Sequence, residues 1–123
     1  MNEHPLPTNV RLWLETAATA LKAAVEWIAR TYGTDTRAAH AASVPYLKLW
    51  GLTGGGWQMA RAALVAAQRL AEGDGDADFY RAKIATARFY ADHVLVQAPA
   101  LRNTMVNGAA GVMALSEDQF LAA

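Results

Sequence analysis

The glycine-rich run over residues 51–56 has the glycine spacing of a phosphate-binding loop. Such a loop continues with Lys and then Ser or Thr, which reach the phosphates and the magnesium ion. Trp57 and Gln58 stand at those two positions. The dinucleotide-binding fingerprint fails as well, because it needs a glycine three residues after Gly56 and none is there. We therefore interpret the run as part of a helix-packing groove, since several helix-interior glycines are costly without a packing need. The small residues of this groove are Gly51, Gly55, Gly56, Ala60 and Ala63.

The acidic residues and histidines offer no convincing metal site. Asp74, Asp76 and Asp78 have the one-three-five spacing of an EF-hand calcium loop, but Phe79 and Ala85 occupy the positions of its glycine and glutamate. A helix-capping turn is the better interpretation. The histidines lie on separate segments without a second ligand three or four residues away: His4, His40 and His93. We therefore assign no catalytic residue, no cofactor-binding residue and no metal ligand.

The composition favours an all-α chain and argues against several functional classes. The 28 alanines outnumber the ten Val and Ile residues, which favours helices over strands. Eleven basic residues balance eleven acidic ones, so the surplus typical of nucleic-acid binders is missing. The most apolar uncharged run has twelve residues, whereas a membrane-spanning helix needs about twenty. With no cysteine and no signal peptide, we expect a cytoplasmic protein.

Apolar spacings of three and four predict one domain, an antiparallel bundle of three long helices plus a short C-terminal helix. After an extended lead-in over residues 1–8, the first helix covers residues 9–32, capped by Thr8 or Asn9. The second covers residues 35–72, is bent or restarted at Pro45, and is apolar enough to lie at the centre. The third covers residues 77–105 and is kinked or broken at Pro99. A loop follows over residues 107–111, and a Ser-x-x-Gln capping box at residues 116–119 predicts the last helix.

Four tryptophans are many for a small bundle. Most are expected in the core, but aromatic residues are also enriched at the centres of protein interfaces. Two arginines in otherwise apolar stretches are suited to pair with acidic groups of a partner. The candidate interface residues are Trp50, Trp57, Arg61 and Arg88.

From residue 46 onward the sequence resembles the C-terminal helical domain of flavin-dependent acyl-CoA dehydrogenases of the methylmercaptopropionyl-CoA dehydrogenase type. The likeness lies in residues 46–51, 55–57, 60–63, 79, 83–91, 108–109 and 113–115, while residues 12–30 match only in helical pattern. It implies a parent enzyme that uses FAD to introduce an α,β double bond into an acyl-CoA thioester. It also implies that the catalytic glutamate and the flavin contacts lie in upstream domains, so this chain itself binds no FAD.

The resemblance implies a non-catalytic accessory domain that packs on the dehydrogenase's catalytic domains or on the dimer partner. The alternative is a free-standing helical interaction module, without enzymatic activity, that self-associates through the glycine–alanine groove. The two hypotheses differ in the partner, which is the catalytic domains in the first and a second copy of the chain in the second.

Overall fold

The computed structural model describes residues 4–73 and 75–122, in which every regular element is helical. This confirms the all-α class predicted from the composition. The elements are α1 (Thr8–Thr31), α2 (Thr36–Ala41), α3 (Ser43–Glu72), α4 (Ala77–His93), a 3-10 turn (Leu95–Gln97), α5 (Ala98–Val112) and α6 (Glu117–Ala122).

The N-terminus of α1 differs from the prediction. The helix begins at Thr8, directly after Pro7, and no side chain caps its first turn. Thr8 is therefore helical rather than extended, and residues 1–3 of the predicted lead-in lie outside the described residues. The amide of Asn9 is engaged elsewhere, since its Nδ2 donates to the Asp92 carboxylate at 2.9 Å and to the Arg88 carbonyl at 3.3 Å. Because the helix already begins at Thr8, Asn9 lies inside its first turn and is not the N-cap, and its side chain contacts α4 instead.

Proline sets two helix boundaries, so the second and third predicted helices are each divided in two. The first boundary lies at Ala42, and Pro45 is the third residue of α3, where its missing N–H breaks no helical hydrogen bond. The second boundary lies at Val94, five residues before Pro99. The helix therefore breaks ahead of the proline and is not kinked at it. A continuous helix would bring the Pro99 ring against the carbonyl of Leu95, and the 3-10 turn avoids that clash.

The predicted loop over residues 107–111 is wrong, because α5 continues through it to Val112. Gly108 and Gly111 weaken a helix when judged locally. Met105 and Ala109 nevertheless lie on one face of α5 and are 0% and 6% exposed. Burial of that face offsets the poor local propensity.

The core is built mainly from alanine, which allows helices to approach closely. Helix α3 contacts α1, α2, α4, α5 and the 3-10 turn, but α1 contacts as many elements and much of α3 is exposed, so the prediction that α3 is the covered central helix is wrong. The largest fully buried side chains are Val10, Leu49, Leu95 and Met105. Of the four tryptophans, Trp13 and Trp27 pack against the core, whereas Trp50 and Trp57 are 49% and 53% exposed. Only Trp13 and Trp27 thus have the core contacts expected for most of the tryptophans, and both are partly rather than fully buried.

Helix α6 packs on no other described element, and its described residues are exposed. The predicted capping box is confirmed: the Ser116 N–H donates to Gln119 Oε1 at 2.8 Å, and the Gln119 N–H donates to Ser116 Oγ at 3.3 Å. Phe120 and Leu121 are 70% and 85% exposed. This short helix is therefore held by its own cap and leaves its apolar side chains without cover.

Candidate docking surfaces

The glycine run over residues 51–56 lies inside α3, which rules out phosphate binding by its backbone. Within a helix each N–H is hydrogen-bonded to the carbonyl four residues earlier, so none is free to donate to a phosphate. FAD carries a pyrophosphate and would need such a donor cradle. This run therefore does not fit the flavin.

Gly55 and Gly56 lie at a close approach between helices. A Cβ atom at Gly55 would overlap the hydroxyl of Tyr90 on α4, and one at Gly56 would lie 2.6 Å from Cδ2 of Leu95. The Tyr90 hydroxyl donates to the Leu52 carbonyl at 2.7 Å, and burial raises the pKa of Tyr90 above its usual value. A side chain at either position would force Tyr90 or Leu95 out of its present place, so glycine suits this close contact.

The other residues of the predicted groove divide between covered and open positions. Ala60 and Ala63 are 3% and 0% exposed, so the chain's own helices already cover them. Gly51 and Gly54 differ, since a Cβ atom at either would meet nothing within 4 Å. The groove over residues 55–63 is therefore not free for a second copy, while the side of α3 around Gly54 is open.

An apolar groove of about 420 Å³ runs between α1 and α3 on that open side. We call it the tryptophan groove. Trp50 and Trp57 stand one helical turn before and after Gly54, so the absent side chain leaves a notch between two indoles. The groove is lined by Leu14, Glu15, Ala18, Leu21, Trp50, Thr53, Gly54 and Trp57. Its apolar, aromatic lining is typical of the centre of a protein interface.

Thr53 lies in the floor of the tryptophan groove with an unpartnered hydroxyl. The residue is 7% exposed, and its Oγ1 has no hydrogen-bond partner. Other helical threonines bond the carbonyl four residues earlier, as Thr16 does with Leu12 at 2.9 Å and Thr86 with Ala82 at 2.8 Å. A buried hydroxyl without a partner costs about 1–3 kcal/mol. The oxygen itself is covered by the chain, so it lies beneath the groove surface and is not open to a partner.

A second apolar depression, of about 400 Å³, lies between α3 and α4. We call it the cationic trough, lined by Arg61, Ala62, Val65, Phe79, Tyr80 and Lys83. Arg61 Cζ lies 5.0 Å from the Trp57 ring centre, and Lys83 Nζ lies 5.2 Å from that of Phe79. Cations over aromatic faces are held in place by the ring quadrupole. An apolar floor thus lies between two positioned positive charges.

The structure does not bring all four candidate interface residues together. Trp50 and Trp57 share the tryptophan groove, and Arg61 links it to the cationic trough. Arg88 lies apart, with Arg11 and residues 4–8, in an open cleft beside α1. A single face that contains Trp50, Trp57, Arg61 and Arg88 is therefore not formed.

The acidic turn serves to end and begin helices. Gly73 ends α3 in the left-handed conformation at φ 68°, and the Asp76 carboxylate accepts from the N–H groups of Asp78 and Phe79. Asp78 lies 3.7 Å from Arg81, and Asp74 lies outside the described residues. Within residues 4–73 and 75–122, no group of three potential ligands is placed to hold a metal ion. No helix in those residues is both long and apolar enough to cross a membrane.

The described residues thus form a small all-helical domain with two open apolar surfaces. Comparisons with known proteins identify its family. The family described as Acetyl-CoA dehydrogenase C-terminal like matches residues 8–116. The chain belongs to this family of C-terminal domains. Over 87 residues, 71% of this chain, it is 45% identical to 3-methylmercaptopropionyl-CoA dehydrogenase of Ruegeria pomeroyi. The aligned part is only 15% of that relative's length, and no solved structure matches the chain.

Sequence reasoning missed two features of these surfaces. Lys83 and Phe79 share one face of α4 at a spacing of four, but only the packing of α4 on α3 brings them beside Arg61. The exposure of α6 was missed as well, although its acidic and apolar residues were visible. In both cases the missing information was which helix faces lie next to each other.

Proposed function

We propose that this chain is the non-catalytic accessory domain of an FAD-dependent acyl-CoA dehydrogenase, where it packs on the catalytic body or the dimer partner. Family membership supports the enzyme class, and the relative's name gives an acyl-CoA dehydrogenase. The single observation that carries the docking role is the tryptophan groove, where Trp50 and Trp57 are half exposed around the open Gly54. We retain the cytoplasmic location and the antiparallel bundle as parts of this proposal.

Docking on a larger body would cover the exposed Trp50 and Trp57 side chains. Covering two half-exposed indoles removes apolar surface from water, which stabilises a complex by roughly 25 cal/mol per Å² before the costs of association. FAD and the acyl-CoA thioester are assigned to the catalytic body, and no residue of this chain is assigned to either.

The first test is the size of the native polypeptide. An antibody against this segment, used on lysate of the source cells, should detect a band several times 13.2 kDa that co-elutes with flavin absorbance. A band at 13.2 kDa without flavin would contradict the parent-enzyme proposal and support the free-standing interaction module.

Oxidative footprinting of the tryptophans then tests the docking surface. We expect Trp50 and Trp57 to oxidise several-fold more slowly in the long flavoprotein than in the 123-residue chain. Trp13 and Trp27 serve as internal controls, because they pack against the domain's own core in either context. Equal oxidation of Trp50 and Trp57 in the two proteins would show that the tryptophan groove is not the docking surface.

A further inference from the structure

The cationic trough on α3 and α4 has no acidic residue in its lining, and the acidic groups at the start of α4 are engaged elsewhere, Asp76 in the helix cap and Asp78 with Arg81. Glu72 is the only acidic residue of the helix α3. Among the described residues, no ion pair joins Arg61 or Lys83 to a carboxylate. A complementary occupant is therefore a short element with apolar side chains and acidic groups close together.

Helix α6 and the residue before its cap have that chemistry. Leu115, Phe120 and Leu121 are 54%, 70% and 85% exposed, and Glu117 and Asp118 form the first turn. The helix touches no other described element. An apolar and acidic element without cover thus occurs in the same chain as an apolar and cationic trough without cover.

Helix α6 cannot reach the cationic trough of its own copy of the chain. α5 begins at the 3-10 turn, beside Gly56, and its later residues share a cavity with Trp27 and Arg30 near the end of α1. It also contacts α2, which directly precedes α3, so α5 ends near the Ser43 end of α3. From Ser43 to Arg61 the axis of α3 rises about 27 Å. Five Cα–Cα steps join Val112 to Glu117, so this link spans at most about 18 Å, which is less than the rise of α3.

We infer that the cationic trough binds α6 of a second copy of this chain, with Phe120 and Leu121 on the apolar floor and Glu117 and Asp118 facing Arg61 and Lys83. Reciprocal exchange of two α6 helices gives a closed, two-fold symmetric dimer. This inference rests on the proposed function for the docking role of the domain. It adds one docking partner, a second copy of the chain. It uses a surface separate from the groove over residues 55–63, which the chain's own helices cover.

The test is sedimentation velocity of the 123-residue chain over a range of concentrations. We expect a reversible shift from 13.2 kDa to twice that mass, with a dissociation constant on the order of 1–100 μM for so small an interface. Added salt should weaken the dimer, because the paired charges lie at the rim. A chain that stays monomeric throughout overturns the inference.

Charge reversal makes the test specific. Arg61→Glu with Lys83→Glu should weaken the dimer about tenfold or more, and Glu117→Lys with Asp118→Lys should do the same. Combining all four substitutions should restore most of the affinity. All four positions are exposed, so the fold should tolerate these changes. The matched control is Arg88→Glu, an exposed α4 position away from the trough, which should leave the dimer unchanged.

A second variant guards against the effect of charge on the short α6 helix. Phe120→Ser removes an apolar side chain while retaining the capping box, and it should weaken the dimer at least several-fold. Failure of the four-fold variant to recover affinity overturns the inference, as does a dimer lost only in Trp50→Ser or Trp57→Ser. The size and flavin content of the native polypeptide decide the proposed function separately, since neither depends on α6.

Discussion

Helix α3 has a closed side and an open side, and glycine serves a different purpose on each. On the closed side, Gly55 and Gly56 let α4 and the 3-10 turn approach, and a Cβ atom at either would collide with Tyr90 or Leu95. On the open side, Gly54 meets nothing and lies between two half-exposed tryptophans. Three consecutive glycines thus divide into two that the fold requires and one that it does not. The open side is the one available to a partner.

The largest expected contrast is between Leu49 and its neighbour Trp50. Leu49 is 0% exposed, so Leu49→Ala should leave a cavity and lower the free energy of unfolding by about 2–5 kcal/mol. Trp50 is 49% exposed, so half of its indole is already in water, and Trp50→Ala should lower it by a smaller amount, about 1–2 kcal/mol. Urea denaturation of both variants measures the difference. Equal losses would mean that the two sides of α3 do not differ in burial.

Gly56→Ala tests the closed side with a smaller expected change in the free energy of unfolding. Although alanine favours a helix, the added Cβ would lie 2.6 Å from one Leu95 methyl and 3.0 Å from the other, and Leu95 is only 1% exposed. We expect a net loss of about 1–3 kcal/mol from overpacking. Thermal unfolding should show a lower Tm. A rise in Tm would show that Leu95 moves aside freely.

Tyr90→Phe removes the hydroxyl that hydrogen-bonds α4 to α3. Loss of the 2.7 Å bond to the Leu52 carbonyl should cost about 1 kcal/mol near neutral pH. Burial raises the pKa of Tyr90 in the folded state, so its contribution to stability is present below the unfolded pKa of about 10 and is lost as pH rises through the folded pKa. The wild type should therefore lose more stability than Tyr90→Phe between about pH 9 and pH 11. Parallel pH profiles of unfolding would contradict this.

Gly54→Ala is the smallest expected change and has the opposite sign. The new methyl group meets nothing within 4 Å, so better helix propensity should raise the free energy of unfolding by about 0.5–1 kcal/mol. Under the proposed docking role, the same methyl group would fill the notch between Trp50 and Trp57 in the parent enzyme and weaken docking. Chemical denaturation of the 123-residue chain measures the first effect. A loss of stability there would show that the open side is covered within the chain.

Sequence reasoning was most successful where structure depends on neighbours along the chain. The capping box at Ser116 and Gln119 and the aspartate cap at the start of α4 both follow from local hydrogen bonding. It was least successful where packing outweighs propensity. The two glycines in residues 107–111 predicted a loop, but burial of Ala109 keeps α5 helical. The predicted N-cap of α1 failed because the helix begins directly after Pro7, which places Asn9 inside the first turn, where its Nδ2 bonds to α4.

The sequence by itself determined that this chain is all-helical, that the run over residues 51–56 is no phosphate loop, and which family it belongs to. These properties depend on composition, spacing and local capping, which are carried by residues near one another in the chain. Only the tertiary structure decided which glycines are covered, which tryptophans stay exposed, and that Arg61 and Lys83 flank one trough. Periodicity places residues on a common helix face, but which neighbour covers that face depends on the packing of distant segments.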